Sequence, residues 1–355
     1  MRTYKILILG ASYGSLLATK LLLAGHTVKM ICLPAESELF NKEGAIVRTP
    51  VKGREGLVEI NSLKLPGKLS AGGPESANPA DYDLIVLAMQ EPQYRSPGVR
   101  ELLDAVAKSR VPCMSIMNMP PLPYLKRIPG LNVDACRDCY TDAAVWNSFD
   151  PKTLTLCSPD PQAFRPPEEK VNVLQVRLPT NFKSARFESE AHTAILRQLE
   201  ADIDAIRFDP GDGKKIELPV KLKVHDSVFV PLAKWAMLIA GNYRCVQKDA
   251  MRPIKDAVHT DIEASRAVYQ WVVKLCVSMG ADEKDLVPFE KYANAALSLG
   301  SPSSAARALA NGAPNIERVD RLVQVVAAQK SMRSPVLDET VALVDGWLAK
   351  NRKKA

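Results

Sequence analysis

The stretch that most constrains this chain runs from Lys5 to Ile31, KILILGASYGSLLATKLLLAGHTVKMI. Ile6, Leu7, Ile8 and Leu9 are a continuous apolar run, the composition of a parallel strand buried on both faces. Gly10, Ala11, Ser12, Tyr13, Gly14 and Ser15 then make a turn of mostly small residues. Leu16 to Ala24 has helical composition, Gly25 stops it, and His26 to Ile31 is strand-like again. Strand, small-residue turn, helix and strand within about thirty residues is the pattern of a dinucleotide-binding βαβ unit. Small side chains let backbone N–H groups approach a pyrophosphate, and the helix N-terminus adds positive potential there. The glycine frame is partial. In G-x-G-x-x-G the three positions fall on Gly10, Ser12 and Ser15, with Gly14 one place early. A Ser is small enough for the later positions but strained if its φ is positive.

At 355 residues the chain exceeds what one core usually serves, so two domains are expected. Its 47 basic and 40 acidic residues leave a net charge of +7. That mild excess suits an anionic cofactor or an acid substrate. With no basic stripe and 6% aromatics it does not indicate nucleic acid. No run approaches the roughly 18 apolar residues of a membrane span. Met1 to Leu9 does not read as a signal peptide, because its apolar run stops at Gly10 and completes a strand pattern. Cys32, Cys113, Cys157, Cys245 and Cys276 sit among apolar residues and read as buried small hydrophobes. Cys136 and Cys139 form a C-x-x-C without the second pair a zinc site needs, so no metal is expected. A reduced, cytoplasmic compartment fits.

Along the chain, Gly44 to Arg48, Gly56 to Ile60, Asp83 to Met89 and Val111 to Met117 read as strands. Pro97 to Lys108 reads as an amphipathic helix, and Lys64 to Pro79 as turn. Cys139 to Trp146, Thr153 to Cys157 and Val171 to Leu178 are further strand candidates, and Ser189 to Ile203 a helix. PGDGKK at Pro210 to Lys215 is a strong turn. The expected plan is α/β: a Rossmann-type parallel-sheet domain over 1–212, then an all-helical domain over 213–355. Helices are expected at Val230 to Val246, Thr260 to Met279, Lys284 to Ala296, Ser303 to Asn311, Ile316 to Ala328 and Glu339 to Asn351. Ser301, before Pro302, would cap the fourth of these.

Four places together resemble the ketopantoate reductase (2-dehydropantoate 2-reductase) family. They are GASYGSLLATKLLLAGHTV, the strand ending at Asn118, the stretch Lys234 to Asn242, and SPSSAARALANGA from Ser301 to Ala313. The likeness spans nearly the whole chain. It implies a Rossmann domain, a helical domain carrying substrate binding and any homodimerisation, and a site in the cleft between them. It also implies reduction of a 2-oxo acid by NADP(H), with NAD not excluded. Gly10, Ala11, Ser12, Tyr13, Gly14, Ser15, Gln90 and Asn118 would contact the cofactor, and Asn242, Ser303 and Ser304 the substrate. Lys234 would donate the proton, a positioned ammonium being suited to a carbonyl oxygen that gains charge. On an ideal helix Asn242 lies about 80° around and roughly 12 Å along from it.

The departures from the family pattern are specific. The middle Asn of its Lys-Asn-Asn helix is Leu238 here, its glutamate falls at Ile316, and its Arg after the second strand falls at Leu33. Gln90 stands where a Lys is frequent. Glu317, about 100° from Ile316 on a helix, replaces the glutamate only if the loop from Gly312 to Asn315 shifts. Leu238 argues for a less polar or larger substrate than ketopantoate. Two other readings stand beside the reductase. One is an opine-dehydrogenase-like imine reductase, for which His225 and Asp226 are a poor catalytic pair. The other is a non-catalytic nucleotide-binding homologue.

Overall fold

β1 (Lys5–Leu9) forms where the sequence is most apolar, and its Ile6, Leu7, Ile8 and Leu9 are fully buried. Each such side chain contributes about 1.5–3 kcal/mol of burial free energy. The computed structural model describes residues 2–354. In chain order β1 is followed by α1 (Ser12–Leu23), β2 (Thr27–Ile31), α2 (Pro34–Glu43), β3 (Ile46–Pro50), β4 (Leu57–Asn61), β5 (Lys68–Gly72), β6 (Leu84–Leu87), α3 (Val99–Ser109), β7 (Cys113–Ile116) and α4 (Leu122–Leu125). Then come β8 (Leu154–Ser158), β9 (Gln162–Phe164), β10 (Val173–Leu178), β11 (Phe182–Ala185), α5 (Glu190–Ala205) and β12 (Leu222–His225). The remaining elements are helical: α6 (Lys234–Met237), α7 (Ile254–His259), α8 (Ile262–Ser278), α9 (Phe289–Ala296), α10 (Ser304–Ala310), α11 (Val319–Gln329) and α12 (Pro335–Arg352).

The chain divides into two compact units. The first holds the residues up to Met89, Gln93–Met117 and Val145–Asp226; the second holds Gln90–Pro92, Asn118–Ala144 and the chain from Ser227. The first unit carries an eight-stranded sheet in the order β12-β11-β8-β7-β6-β1-β2-β5. Its pairings are parallel except β11 with β8. A smaller sheet, β4-β3-β10-β9, accompanies it. The second unit is helical, with only an isolated bridge between Val246 and Met251 among its described residues. The α/β class with a Rossmann-type sheet and a helical C-terminal part is therefore as expected. β12, which follows the turn at Pro210 to Lys215, pairs with β11 and belongs to the sheet.

Three local expectations are corrected. The Lys64 to Pro79 segment contains β5, whose Lys-Leu-Ser-Ala-Gly composition carries no strand signal; parallel pairing with β2 makes it a strand. Cys139 to Trp146 is not a strand but ends one 3₁₀ turn (Asp134–Cys139) and forms another (Ala143–Trp146). Val230 to Val246 is not one α-helix. It is a 3₁₀ turn (Pro231–Ala233), then α6, then a π-helical stretch (Leu238–Asn242) and a second 3₁₀ turn (Tyr243–Cys245). Tyr292 explains the widening. Its hydroxyl donates to the Met237 carbonyl at 3.1 Å and lies where a Cβ on Gly241 would stand, only 1.9 Å from that position. Only glycine leaves that space.

Two glycine substitutions separate these effects. Gly241→Ala is expected to lower unfolding stability by about 2 kcal/mol or more, since Tyr292 must be displaced. Gly346→Ala, at an exposed position of helix α12 with nothing within 4 Å of the added methyl, is expected to raise it by about 0.5–1 kcal/mol. Urea unfolding of the two variants checks both signs.

Candidate active site

In the first unit the turn between β1 and α1 is set by crowding. Gly10 has φ +107°, and a Cβ there would lie 2.6 Å from the Ala88 carbonyl oxygen. Its N–H donates to the Ile31 carbonyl at 2.9 Å, closing β1 onto β2. Helix α1 starts at Ser12 rather than Leu16, so Ser12 to Ser15 are its first turn and their φ values are not positive. The strain expected of a serine here does not arise. Gly14 has a different role. A Cβ there would meet the Ile8 Cγ2 at 2.8 Å, so the glycine sets how closely α1 approaches β1. Tyr13 donates its hydroxyl to the Pro161 carbonyl at 2.9 Å. No acidic side chain lies in the first turn of α1. The N–H groups of that turn and the helix dipole therefore favour an anion, as a pyrophosphate requires.

The second unit brings together residues that are far apart in sequence. Gln90, Asn118, Leu238, Asn242, Tyr243, Ser304, Ala305, Ile316 and Glu317 line one cavity of about 20 Å³. Glu317 is 7% exposed and is held by donors: the Glu91 N–H at 3.3 Å, the Asn118 side chain and the Met119 N–H. Burial pushes its carboxyl up to about 7, the donors oppose this, and the neighbouring Glu91 carboxylate adds to it. Glu91 is itself buried, accepting from the Thr141 N–H at 3.0 Å and hydroxyl at 2.8 Å. The Asn118 amide oxygen has no hydrogen-bond partner among the described residues.

Glu317 does not sit on a helix. Helix α11 begins at Val319, later than the expected Ile316, so helical phase does not govern where Glu317 points. Tyr243 fixes it instead: its hydroxyl donates to the Glu317 carbonyl and accepts from the Val319 N–H at 3.0 Å. Burial raises the Tyr243 phenol well above its ordinary value, so it remains a donor. Arg318 grips Asp320 through two 2.9 Å bonds and reaches Asp345 at 2.6 Å, anchoring the start of α11. Both Ile316 and Glu317 reach the cavity.

The paired serines divide their work. Ser303, not Ser301, caps α10, accepting from the Ala306 N–H at 3.2 Å. Its hydroxyl also donates to the Asn242 carbonyl at 2.7 Å. Ser303 is thus 2% exposed and absent from the cavity lining, whereas Ser304 lines it. Lys234 opens α6 and is 8% exposed; it precedes Leu238 by one turn and is not among the lining residues. Because Leu238–Asn242 is π-helical, Asn242 is not at the angle from Lys234 that an ideal α-helix gives.

Other features stand apart from these sites. A groove of about 1070 Å³ in the first unit is lined by Lys52, Arg54, Lys214, Lys215, Lys221 and Lys223, among others. It is larger than the polar cavity but holds none of the expected site residues. Several of its cations are paired, Arg54 with Asp212 at 2.7 Å and Lys221 with Asp204 at 3.2 Å. Cys136 and Cys139 are buried thiols that burial pushes up to about 11 and about 12. No cluster of three metal-ligating side chains occurs among the described residues. Asp226 pairs with Arg197 at 2.6 Å. Among the described residues no helix is long and apolar enough to cross a membrane.

No protein-family model matches the chain, and no curated protein matches it in sequence. Solved structures match it end to end. A ketopantoate reductase from Ralstonia eutropha matches with a TM-score of 0.63 and 15% identity, over 98% of this chain and 99% of that one. The fold is that of the ketopantoate reductases. The 2-dehydropantoate 2-reductase of Methylococcus capsulatus gives a TM-score of 0.64 at 13% identity, over 98% and 97% of the two chains. A dimeric ketopantoate reductase from Staphylococcus aureus gives 0.59 at 9%, over 98% and 99%. The resemblance to ketopantoate reductases read from four short motifs thus holds for the fold of the entire chain. Sequence reasoning missed Glu91, Thr141 and Tyr243. Glu91 adjoins Gln90, and Tyr243 follows Asn242 as the polar tip of an apolar helix, but nothing local announces either as a partner of Glu317.

The Glu317 carboxyl has a pH signature. Its folded pKa of about 7 lies above the ordinary value of 4.5, so its contribution to stability is present below about pH 4.5 and is lost as pH rises through 7. The expected loss is of order 3 kcal/mol. Urea unfolding at pH 5 and pH 8 should show this decline in the parent protein and not in Glu317→Gln.

Proposed function

We propose that the chain is an NAD(P)H-dependent reductase of a 2-oxo acid or a closely related carbonyl compound. The observation that carries this reading is the meeting of Asn118, Asn242, Ser304 and Glu317 at one cavity beside apolar Leu238 and Ile316. The partnerless Asn118 amide oxygen is an acceptor suited to a ligand donor. The glycine-bounded turn before α1 supports a dinucleotide phosphate site in the same chain.

A bound nicotinamide supplies the hydride. The protein's part is to place the carbonyl and satisfy the charge that develops on its oxygen. Lys234 gives the proton to that oxygen as the C=O π pair moves onto it, and its ammonium stabilises the charge. Asn242 and Ser304 bind polar groups of the substrate. Glu317, near half-protonated at neutrality, holds the substrate hydroxyl or carboxylate side and orients Asn118. Leu238 leaves one side of the cavity without a polar partner, so a substrate with an apolar group there is preferred over ketopantoate.

Nicotinamide fluorescence titration with NADPH and NADH, followed by a panel of 2-oxo acids, tests the reading. Lys234→Ala is expected to lower kcat/KM by about 10²–10⁴-fold with cofactor affinity unchanged. Full turnover by that variant would remove Lys234 from the chemistry. Cofactor binding without turnover on any carbonyl would favour the non-catalytic reading.

A further inference from the structure

The end of β2 is where a Rossmann unit meets the adenosine ribose, and where an Arg receives the 2′-phosphate of NADP. Here the chain offers Leu33, which is 69% exposed and has no charge. The charge comes from elsewhere in the first unit. Arg165, immediately after β9, extends its guanidinium Nη1 to the Glu36 Oε1. Glu36 lies in the first turn of α2, and its other oxygen accepts from the Leu33 N–H at 2.9 Å. The Glu36 carboxylate is therefore engaged on both oxygens and serves to hold Arg165 at the end of β2. Arg165 Nη2 and Nε make no hydrogen bond among the described residues, and its side chain is 29% exposed.

A second cation converges on the same point. The ammonium of Lys29, on β2, lies 3.0 Å from the place a Cβ on Gly72 would occupy. The Gly72 carbonyl accepts from the Cys32 N–H at 3.1 Å, which puts this at the carboxyl ends of β2 and β5. Lys29 and Arg165 both act electrostatically on the Cys32 thiol, opposed by Glu36. Lys29 and Arg165 thus stand near a Glu36 carboxylate that is already bonded on both oxygens, and the Glu75 carboxylate lies beside neighbouring Gly73. The segment carrying Arg165 is fixed relative to the phosphate turn, because Pro161 accepts from the Tyr13 hydroxyl in the first turn of α1.

We propose that Arg165, held by Glu36 and seconded by Lys29, selects NADP(H) over NAD(H) by binding the ribose 2′-phosphate. The guanidinium fork left open by Glu36 matches a phosphate, and Arg–phosphate pairing is the strong, planar kind. The inference rests on the reading that the Gly10 turn holds a nicotinamide dinucleotide.

Dissociation constants of NADPH and NADH, measured by nicotinamide fluorescence for the parent protein, Arg165→Ala and Arg165→Lys, test it. The parent protein is expected to prefer NADPH. Arg165→Ala should weaken NADPH by about 10- to 100-fold and leave NADH within about twofold, with Arg165→Lys between them. Unchanged NADH affinity shows that the variant is folded. A parent preference for NADH, or equal losses for both nucleotides, would overturn the assignment of Arg165 while leaving the dinucleotide site standing. Binding of neither nucleotide by the parent protein would overturn the reductase reading and this inference with it.

Discussion

Burying the Glu317 carboxyl against Asn118 and two backbone N–H groups constrains much of the second unit. A carboxyl at 7% exposure must be met by donors or remain protonated, and here it is partly both. The donors come from Glu91, Asn118 and Met119, segments that enter the second unit just after the carboxyl ends of β6 and β7. Tyr243 then holds the Glu317 main chain from the opposite side in sequence, through the carbonyl and the Val319 N–H. Arg318 and Asp320 fix the helix that follows. Together these ties hold the segment that carries both Ile316 and Glu317 to the cavity.

The irregular stretch from Pro231 to Cys245 belongs to the same logic. A regular helix would carry Lys234, Leu238 and Asn242 on one fixed phase. The π turn changes that phase between Leu238 and Asn242, and π turns commonly mark functional sites. Tyr292 and Gly241 hold the widened turn open: the hydroxyl answers the Met237 carbonyl, and the absent side chain leaves the hydroxyl its room. Ser303 then closes the end of the stretch on the Asn242 carbonyl, which leaves Ser304 for the cavity.

What was legible in the sequence follows from periodicity. β1, α1 and β2 announce themselves because most of their residues are buried and the turn leaves no room for a Cβ at Gly10 or Gly14. β5 does not, because pairing with β2 rather than side-chain burial makes it a strand. Motif spacing found Asn118, Asn242, Ser304 and Glu317, which the fold places at one cavity, and Ser303, which turns out to be a cap. It misjudged how Glu317 gets there, because helical phase was assumed where the backbone has not yet entered α11. Lys234 was singled out by spacing as well; it opens α6 and is not among the residues that line the cavity. Arg165 was invisible, since its pairing with Glu36 exists only after β9 folds beside the start of α1.

The two units supply different halves of one proposed chemistry: an anion-binding turn framed by Gly10 and Gly14, and a small polar cavity with one apolar wall. Their proposed common purpose is hydride transfer to a carbonyl carbon. The most direct measurement follows the hydrogen itself, with NADPH carrying deuterium at both C4 positions and the hydroxy acid formed from a 2-oxo acid analysed by mass spectrometry. A single deuterium at C2 of the product is the result expected of a reductase. A bound cofactor that delivers no deuterium to any 2-oxo acid tested would contradict it.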